Sequence, residues 1–374
     1  TINVLTEELI TNTNIDNYID QEWEPPKLDN NWGTLYSSGT TGNPKGMFRS
    51  HFSILSELLG WCFELGLQKD SHCYIARPIF YTGGLVLSLA TLLVGGKVSI
   101  FESFTPEIYY KYLNLEDIDL AFFVPDQIKQ LVKFVQETNL NNFKAAKAIF
   151  SMGAPFPETL KKDANVFLKS DIIESWGNTE GLGTITQAED LYKRPSSIGR
   201  PFIADKLIIV DENGERLASN SIGRIAGEAD SRFTEYINND ILNRELIKGD
   251  LIISEDLGME DEDGYFYLYG RVADVINTLS GKIYPILIEK VISTFDEVDE
   301  VAVFGIPNCN FEEPVCVINC KTSISNEELV LEKINSHLED SQQIKQLKII
   351  KEFPKTASGK IKKTELIYLF NEKR

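Results

Sequence analysis

Residues Leu35–Gly46 read Leu-Tyr-Ser-Ser-Gly-Thr-Thr-Gly-Asn-Pro-Lys-Gly, an apolar start followed by hydroxyls, glycines and one lysine. Such a loop is suited to phosphate. Gly39 and Gly42 let the backbone approach an anion closely and take positive φ. Ser37, Ser38, Thr40 and Thr41 add hydroxyl donors, and Lys45 adds a point charge. It is not the P-loop, which needs Gly, four residues and then Gly-Lys-Ser/Thr running into a helix; here Pro44 precedes the lysine and Gly46 follows it. A solvated Gly/Ser/Thr loop is the plain alternative.

Working outward, 374 residues suffice for two or three domains, and 43% apolar content is ordinary for a packed soluble chain. The longest apolar run, Gly83 to Gly96, is too short to span a membrane and reads as a buried helix or strand. No signal-peptide pattern occupies Thr1 to Asp20. Five cysteines in a large chain argue for reduced thiols in a cytoplasmic enzyme. Cys316 and Cys320 would share a strand face, a packing arrangement, since the three histidines are scattered and complete no ligand spacing. A net charge of −19 argues against nucleic acid or an anionic membrane surface as partner.

The pattern Phe52, Leu55, Leu58, Leu59, Cys62, Phe63 has helical spacing, so the loop is expected to feed a helix from Ser50. Strand-like runs then alternate with helix-like ones. Strands are expected at Ser71–Ala76, Lys97–Phe101, Leu120–Val124, Ala148–Met152 and Asp171–Ser175, and helices at Pro106–Tyr112, Pro125–Glu137 and Pro157–Val166. This alternation implies an α/β architecture with a substantial parallel sheet. Beyond Ile198 the texture turns β-rich, with hairpin turns at Asp211–Gly214 and Asp261–Gly264. Val291–Ile350 mixes strand and helix as a small α+β domain. The expected organisation is an irregular lead-in over 1–31, a large domain over 32–270 whose β-rich section covers about 198–270, and a small mobile domain over 271–374.

Further stretches follow in order: Pro78-Ile-Phe-Tyr-Thr-Gly-Gly84, Met152-Gly-Ala-Pro155, Ser175-Trp-Gly-Asn-Thr-Glu180, Gly249-Asp250, Tyr269-Gly-Arg-Val-Ala-Asp274 and Pro354-Lys-Thr-Ala-Ser-Gly-Lys360. With the opening loop they resemble, from about Leu35 to Lys360, the acyl-adenylate-forming superfamily of acyl-CoA synthetases, adenylation domains and luciferases. The fold implied is that of an adenylate-forming enzyme with a shortened N-terminus. Its implied reaction is attack of a carboxylic acid on the α-phosphate of Mg-ATP, release of pyrophosphate, and transfer of the acyl group from AMP to a thiol.

The resemblance assigns roles residue by residue. Ser37 to Gly42 and Lys45 would hold phosphates, with Thr40 and Glu180 toward magnesium. Gly153, Ala154 and Pro155 would lie against adenine, with Trp176 as its flat aromatic and Gly177 allowing close approach. Thr179 would face the α-phosphate, Asp250 the ribose hydroxyls, and Arg271 the ribose or phosphates. Phe80, Tyr81, Thr82 and Gly83, with Val124 and Met152, would shape the acid pocket. Lys360 would bridge the attacking carboxylate and the α-phosphate, and Ala273 falls on the hinge.

Coenzyme A is the implied acceptor, with a carrier-protein phosphopantetheine arm as the alternative; a binding protein that kept the ATP site without catalysis is the rival outside enzymes. The acid is expected to lack an α-ammonium, because Phe80–Gly84 contains no carboxylate. Only about thirty residues precede the loop, where family members carry an N-terminal subdomain. The expectation is that such a subdomain would be absent or supplied by another chain, and that apolar surface such as Leu85–Val94 would then be closed in a homodimer.

Overall fold

The computed structural model describes residues 25–37, 45–140, 143, 146–203, 205–320, 326–355 and 361–371. Most of the lead-in, the phosphate-loop residues Ser38 to Gly42, and Lys360 lie outside the described residues. Strand β1 (Asn31–Ser37) pairs antiparallel with β2 (Lys45–Ser50), placing Ser37 opposite Lys45. The stretch after the loop is therefore a strand, and only then helix α1 (His51–Glu64), whose N-terminus Ser50 caps by accepting from the N–H of Ser53. Only part of that apolar pattern turns inward. Ile54, Leu58 and Trp61 are buried, whereas Phe52, Leu55, Leu59 and Phe63 face solvent.

The chain then alternates: β3 (His72–Ile75), α2 (Thr82–Leu93), β4 (Lys97–Ile100), α3 (Pro106–Leu113), β5 (Leu120–Phe123), α4 (Pro125–Thr138), β6 (Ala148–Met152), α5 (Glu158–Leu168), β7 (Asp171–Gly177), β8 (Gly183–Thr186), α6 (Ala188–Lys193) and β9 (Arg200–Pro201). The seven strands form one sheet in the order β4-β3-β5-β6-β7-β8-β9, parallel through β7 and antiparallel beyond. Strand alternation divides the core. Tyr74, Ala121 and Phe123 face α3, α4 and α5, while Cys73, Ile75, Leu120 and Phe122 face α1 and α2. Full burial of Phe122 and Phe123 contributes roughly 1.5–3 kcal/mol each. The Leu85–Val94 segment is helical, buries Val86, Leu87 and Ala90, and leaves Leu92 and Leu93 exposed.

The β-rich section holds β10 (Lys206–Val210), β11 (Gly223–Glu228), β12 (Glu235–Tyr236), α7 (Asp240–Leu246), β13 (Ile247–Lys248), β14 (Leu251–Glu260) and β15 (Phe266–Arg271). β12 joins β2, and the other strands make a second antiparallel sheet. The turn Asp261–Gly264 closes the β14–β15 hairpin, with Asp261 Oδ1 accepting from the N–H of Asp263 and Tyr265. A single helical turn, Val272–Asp274, leads to β16 (Ile276–Thr278), β17 (Gly281–Ile283), α8 (Pro285–Ile292), β18 (Val298–Asn308), β19 (Phe311–Cys320), α9 (Glu327–Asn335), β20 (Gln346–Ile349) and α10 (Lys363–Asn371). Cys316 and Cys320 share one face of β19 and pack against the same core, without a metal cluster among the described residues. No helix among them is long and apolar enough to cross a membrane.

Candidate active site

The parallel strands of the large sheet all end on the side where their following loops gather, the place where open α/β sheets bind ligands. A cavity of about 1130 Å³ lies there. Its walls include Tyr81 and Gly83 after β3, Gly153 to Pro155 after β6, and Trp176 to Glu180 at the end of β7 and beyond. Arg271 from β15 and residues of α8 and α10 close the far side. Pro125 and Asp126 line the wall where Val124 was expected.

Gly153 adopts φ +95°, which a glycine takes without strain. Beside it Met152 lies against Gly83, where a Cβ would stand 3.0 Å from the Met152 sulfur and 3.3 Å from Phe122. Phe80 also lines the cavity, its ring centroid 4.5 Å from that of Tyr81, and so does Thr82.

Three charge relationships surround the cavity mouth. Lys45 Nζ is 3.0 Å from Glu255 and 5.9 Å from the centre of the Tyr236 ring. The Tyr236 hydroxyl donates to Glu180 Oε1 at 2.7 Å. Burial and the neighbouring Glu180 carboxylate push that phenol well above its usual range, so it stays a donor. Arg271 Nε is 3.4 Å from Asp256 Oδ1. Glu255, Asp256, Glu180 and Arg271 all line the cavity. Arg271 and Glu255 also border a second cavity of about 190 Å³ that includes Ala273.

Asp250 is a correction. Gly249 and Asp250 form the two-residue link of the β13–β14 hairpin, Gly249 with φ +65°, and the Asp250 side chain is 84% exposed on Arg232. The pair is a turn, and Asp250 does not line the cavity. The carboxylate that faces Arg271 is Asp256, its direct register partner across the β14–β15 ladder. Counting outward from the Asp261–Gly264 turn reaches Glu255 instead, because the ladder shifts register by one residue between Leu257 and Gly258.

Other charged residues on the wall were also unanticipated. Glu57 accepts from buried Arg49 at 2.7 Å. Asp205 sits near Glu57, Asp230 and Glu64, and burial together with those like charges raises its carboxyl to about 7. Arg77 projects between rings, its guanidinium carbon 4.9 Å from the centre of Tyr81 and 5.6 Å from that of Phe122.

The donor set suits magnesium carried in by a triphosphate. That ion keeps most of its waters and takes one or two protein carboxylates plus phosphate oxygens, and Glu180 offers one carboxylate on the cavity wall, oriented by Tyr236 through a single oxygen.

The AMP-binding enzyme family model matches residues 3–236, and the model of the AMP-binding enzyme C-terminal domain matches 287–360. This chain belongs to the AMP-binding enzyme family. A 2-succinylbenzoate–CoA ligase of Bacillus cereus is 26% identical over 341 residues, covering 90% of this chain and 70% of the relative. An uncharacterized acyl-CoA ligase of Bacillus subtilis is 29% identical over 276 residues, 73% of this chain and 55% of the relative. Among solved structures, ATP-bound MatB from Rhodopseudomonas palustris superposes with a TM-score of 0.84 at 26% identity, covering 93% of this chain and 69% of that one. The family's α/β fold with its C-terminal α+β unit is thus the fold of this chain.

Proposed function

We propose that this protein is an AMP-forming acid–CoA ligase. The observation that carries the reading is the cavity at the strand ends, where Gly153–Pro155, Trp176–Glu180 and the Asp256–Arg271 pair converge in a member of the AMP-binding enzyme family. Trp176 and the Gly153–Pro155 turn bracket the adenine. Asp256, in place of Asp250, accepts from the ribose hydroxyls, with Arg271 holding its carboxylate toward them. Thr179 donates to the α-phosphate. Magnesium, when bound, neutralises phosphate charge, and Glu180 holds it.

A carboxylate oxygen of the substrate attacks the α-phosphorus, pyrophosphate departs, and acyl-AMP forms. The sulfur of coenzyme A then attacks the acyl carbon, losing its proton, and AMP leaves. Positioning two anions in line and offsetting their repulsion supplies most of the acceleration, and the phosphate loop with Lys45 serves that end. Lys360 reaches the α-phosphate in the first step only, and rotation about Val272–Asp274, including Ala273, withdraws it for the second.

The test separates the two half-reactions with aryl and aliphatic acids, α-amino acids and coenzyme A. Lys360→Ala should lower acyl-AMP formation at least ~100-fold, the effect of losing one electrostatic stabiliser, and affect thioester formation from supplied acyl-AMP far less. Pyrophosphate exchange with no acid overturns the ligase reading. Strong exchange with one amino acid alone favours carrier-protein loading.

The exposed stripe of Phe52, Leu55, Leu59 and Phe63 on α1, together with exposed Leu92 and Leu93 of α2, supports a further reading in which a second copy covers apolar surface. A monomer by light scattering at micromolar concentration, without hydrophobic dye binding, overturns that.

A further inference from the structure

The charges on the cavity wall are unevenly matched. Lys162 and Lys290 line it without a carboxylate within 4 Å among the described residues, whereas Lys129, Lys161, Lys355, Lys363 and Arg271 each meet one. Arg77 meets none either. Among the described residues no carboxylate reaches its guanidinium within ion-pair distance, and it is held instead by the faces of Tyr81 and Phe122. Gly153 lies alongside it, where a Cβ would stand 3.4 Å from an Arg77 guanidinium nitrogen, an ordinary contact. The side chain starts after β3 and so reaches over β5 to the end of β6.

A guanidinium does not escape its charge by giving up a proton, and burial here already disfavours the charged form. Aromatic faces offset part of that desolvation. A planar anion offset toward the cavity would do so fully, because a carboxylate meets the guanidinium fork with two parallel hydrogen bonds.

Resting on the ligase reading above, we propose that Arg77 is the counter-ion for a second carboxylate of the substrate acid, so that the preferred substrates are dicarboxylic acids. The second carboxylate, not the reacting one, is the partner that chemistry favours. The reacting carboxylate loses its negative charge as its oxygen bonds to phosphorus, so a guanidinium bound to it would stabilise the ground state more than the transition state. A remote carboxylate keeps its charge through adenylate and thioester, and its pairing is undisturbed throughout.

The experiment uses the full chain and chain-matched probes, hexanoate with adipate and phenylacetate with 4-carboxyphenylacetate. Binding is measured by titration calorimetry in the presence of magnesium and a non-hydrolysable ATP analogue, and pyrophosphate exchange is measured separately. Each diacid should bind about 10- to 100-fold tighter than its mono-acid, the range for a hydrogen-bonded charge. Arg77→Met should erase that gap without weakening the mono-acids, and Arg77→Lys should keep part of it. Equal affinity for both members of each pair, or no binding of either diacid, overturns the proposal. So does an Arg77→Met variant that loses both members equally, which would put the guanidinium on the reacting carboxylate. Should that variant fail to fold, the wild-type preference alone decides. A binding gap without any exchange would leave Arg77's role standing and sink the ligase reading.

Discussion

Asp256 and Arg271 stand opposite each other on neighbouring antiparallel strands, Arg271 Nε 3.4 Å from Asp256 Oδ1, at the edge of the cavity. If this pair serves the ribose, Asp256→Ala strips hydrogen bonds that exist in ground and transition states alike. The expected result is at least ~10-fold weaker ATP binding by calorimetry, the scale of a lost charged hydrogen bond. Asp250→Ala, at its exposed turn, should leave ATP affinity unchanged. A reversed ranking would restore the ribose role to Asp250.

The contrast between those two aspartates shows what was legible in the chain. The parallel sheet could be read because each strand is a short apolar run followed by an amphipathic helix, as in Leu120–Phe123 and Pro125–Thr138. The motifs after β6 and β7 were legible because their residue types are unusual together. Asp250 misled because Gly-Asp is equally the signature of a tight hairpin, and only strand register says which acid meets Arg271. Helix α1 offered two stripes at helical spacing, Phe52-Leu55-Leu59-Phe63 and Ile54-Leu58-Trp61, and spacing cannot choose between them. Strand β4, expected over Lys97–Phe101, runs over Lys97–Ile100, and helix α3, expected over Pro106–Tyr112, runs over Pro106–Leu113. Arg77 gave no signal, since its place depends on a reach across the sheet that no local pattern encodes.

Tyr236 orients Glu180 through one hydrogen bond. If Glu180 holds magnesium, its phenolic partner fixes the carboxylate, and loss of such an orienting group weakens metal affinity by about 10-fold or more. Tyr236→Phe should therefore raise the magnesium concentration for half-maximal pyrophosphate exchange by about that factor, and Glu180→Gln by more. An unchanged magnesium dependence in Glu180→Gln would remove the metal role.

Lys161 on α5 and Glu174 on β7 are 2.5 Å apart, with side chains 5% and 10% exposed, and the lysine also donates to Pro195 O at 2.7 Å. Breaking a buried pair leaves one charge without compensation. Lys161→Met should lower stability by about 3–5 kcal/mol, read in urea titrations. The double variant Lys161→Met/Glu174→Leu should recover much of that loss, because the stranded charge is gone. A single variant within 1 kcal/mol of the parent by the same measurement would mean that the cavity hydrates the site.

Asp205 supplies a pH dependence with a definite sign. Burial and the charges of Glu57, Asp230 and Glu64 raise its folded-state pKa to about 7 from the ordinary aspartate value of 3.8. Between those two values the folded protein holds a proton at this site that the unfolded chain has released, so stability from this group is present at low pH and falls as pH rises from about 4 to about 7. Above 7 both states are ionised and the deficit is constant. Asp205→Asn removes the ionisation. The variant should match the parent in melting temperature near pH 4 and exceed it at pH 8, by a free energy of up to about 4 kcal/mol. Calorimetric melting of both proteins across that range checks it, and a difference equal in size at pH 4 and pH 8 would mean that the substitution acts through packing and not through the buried charge.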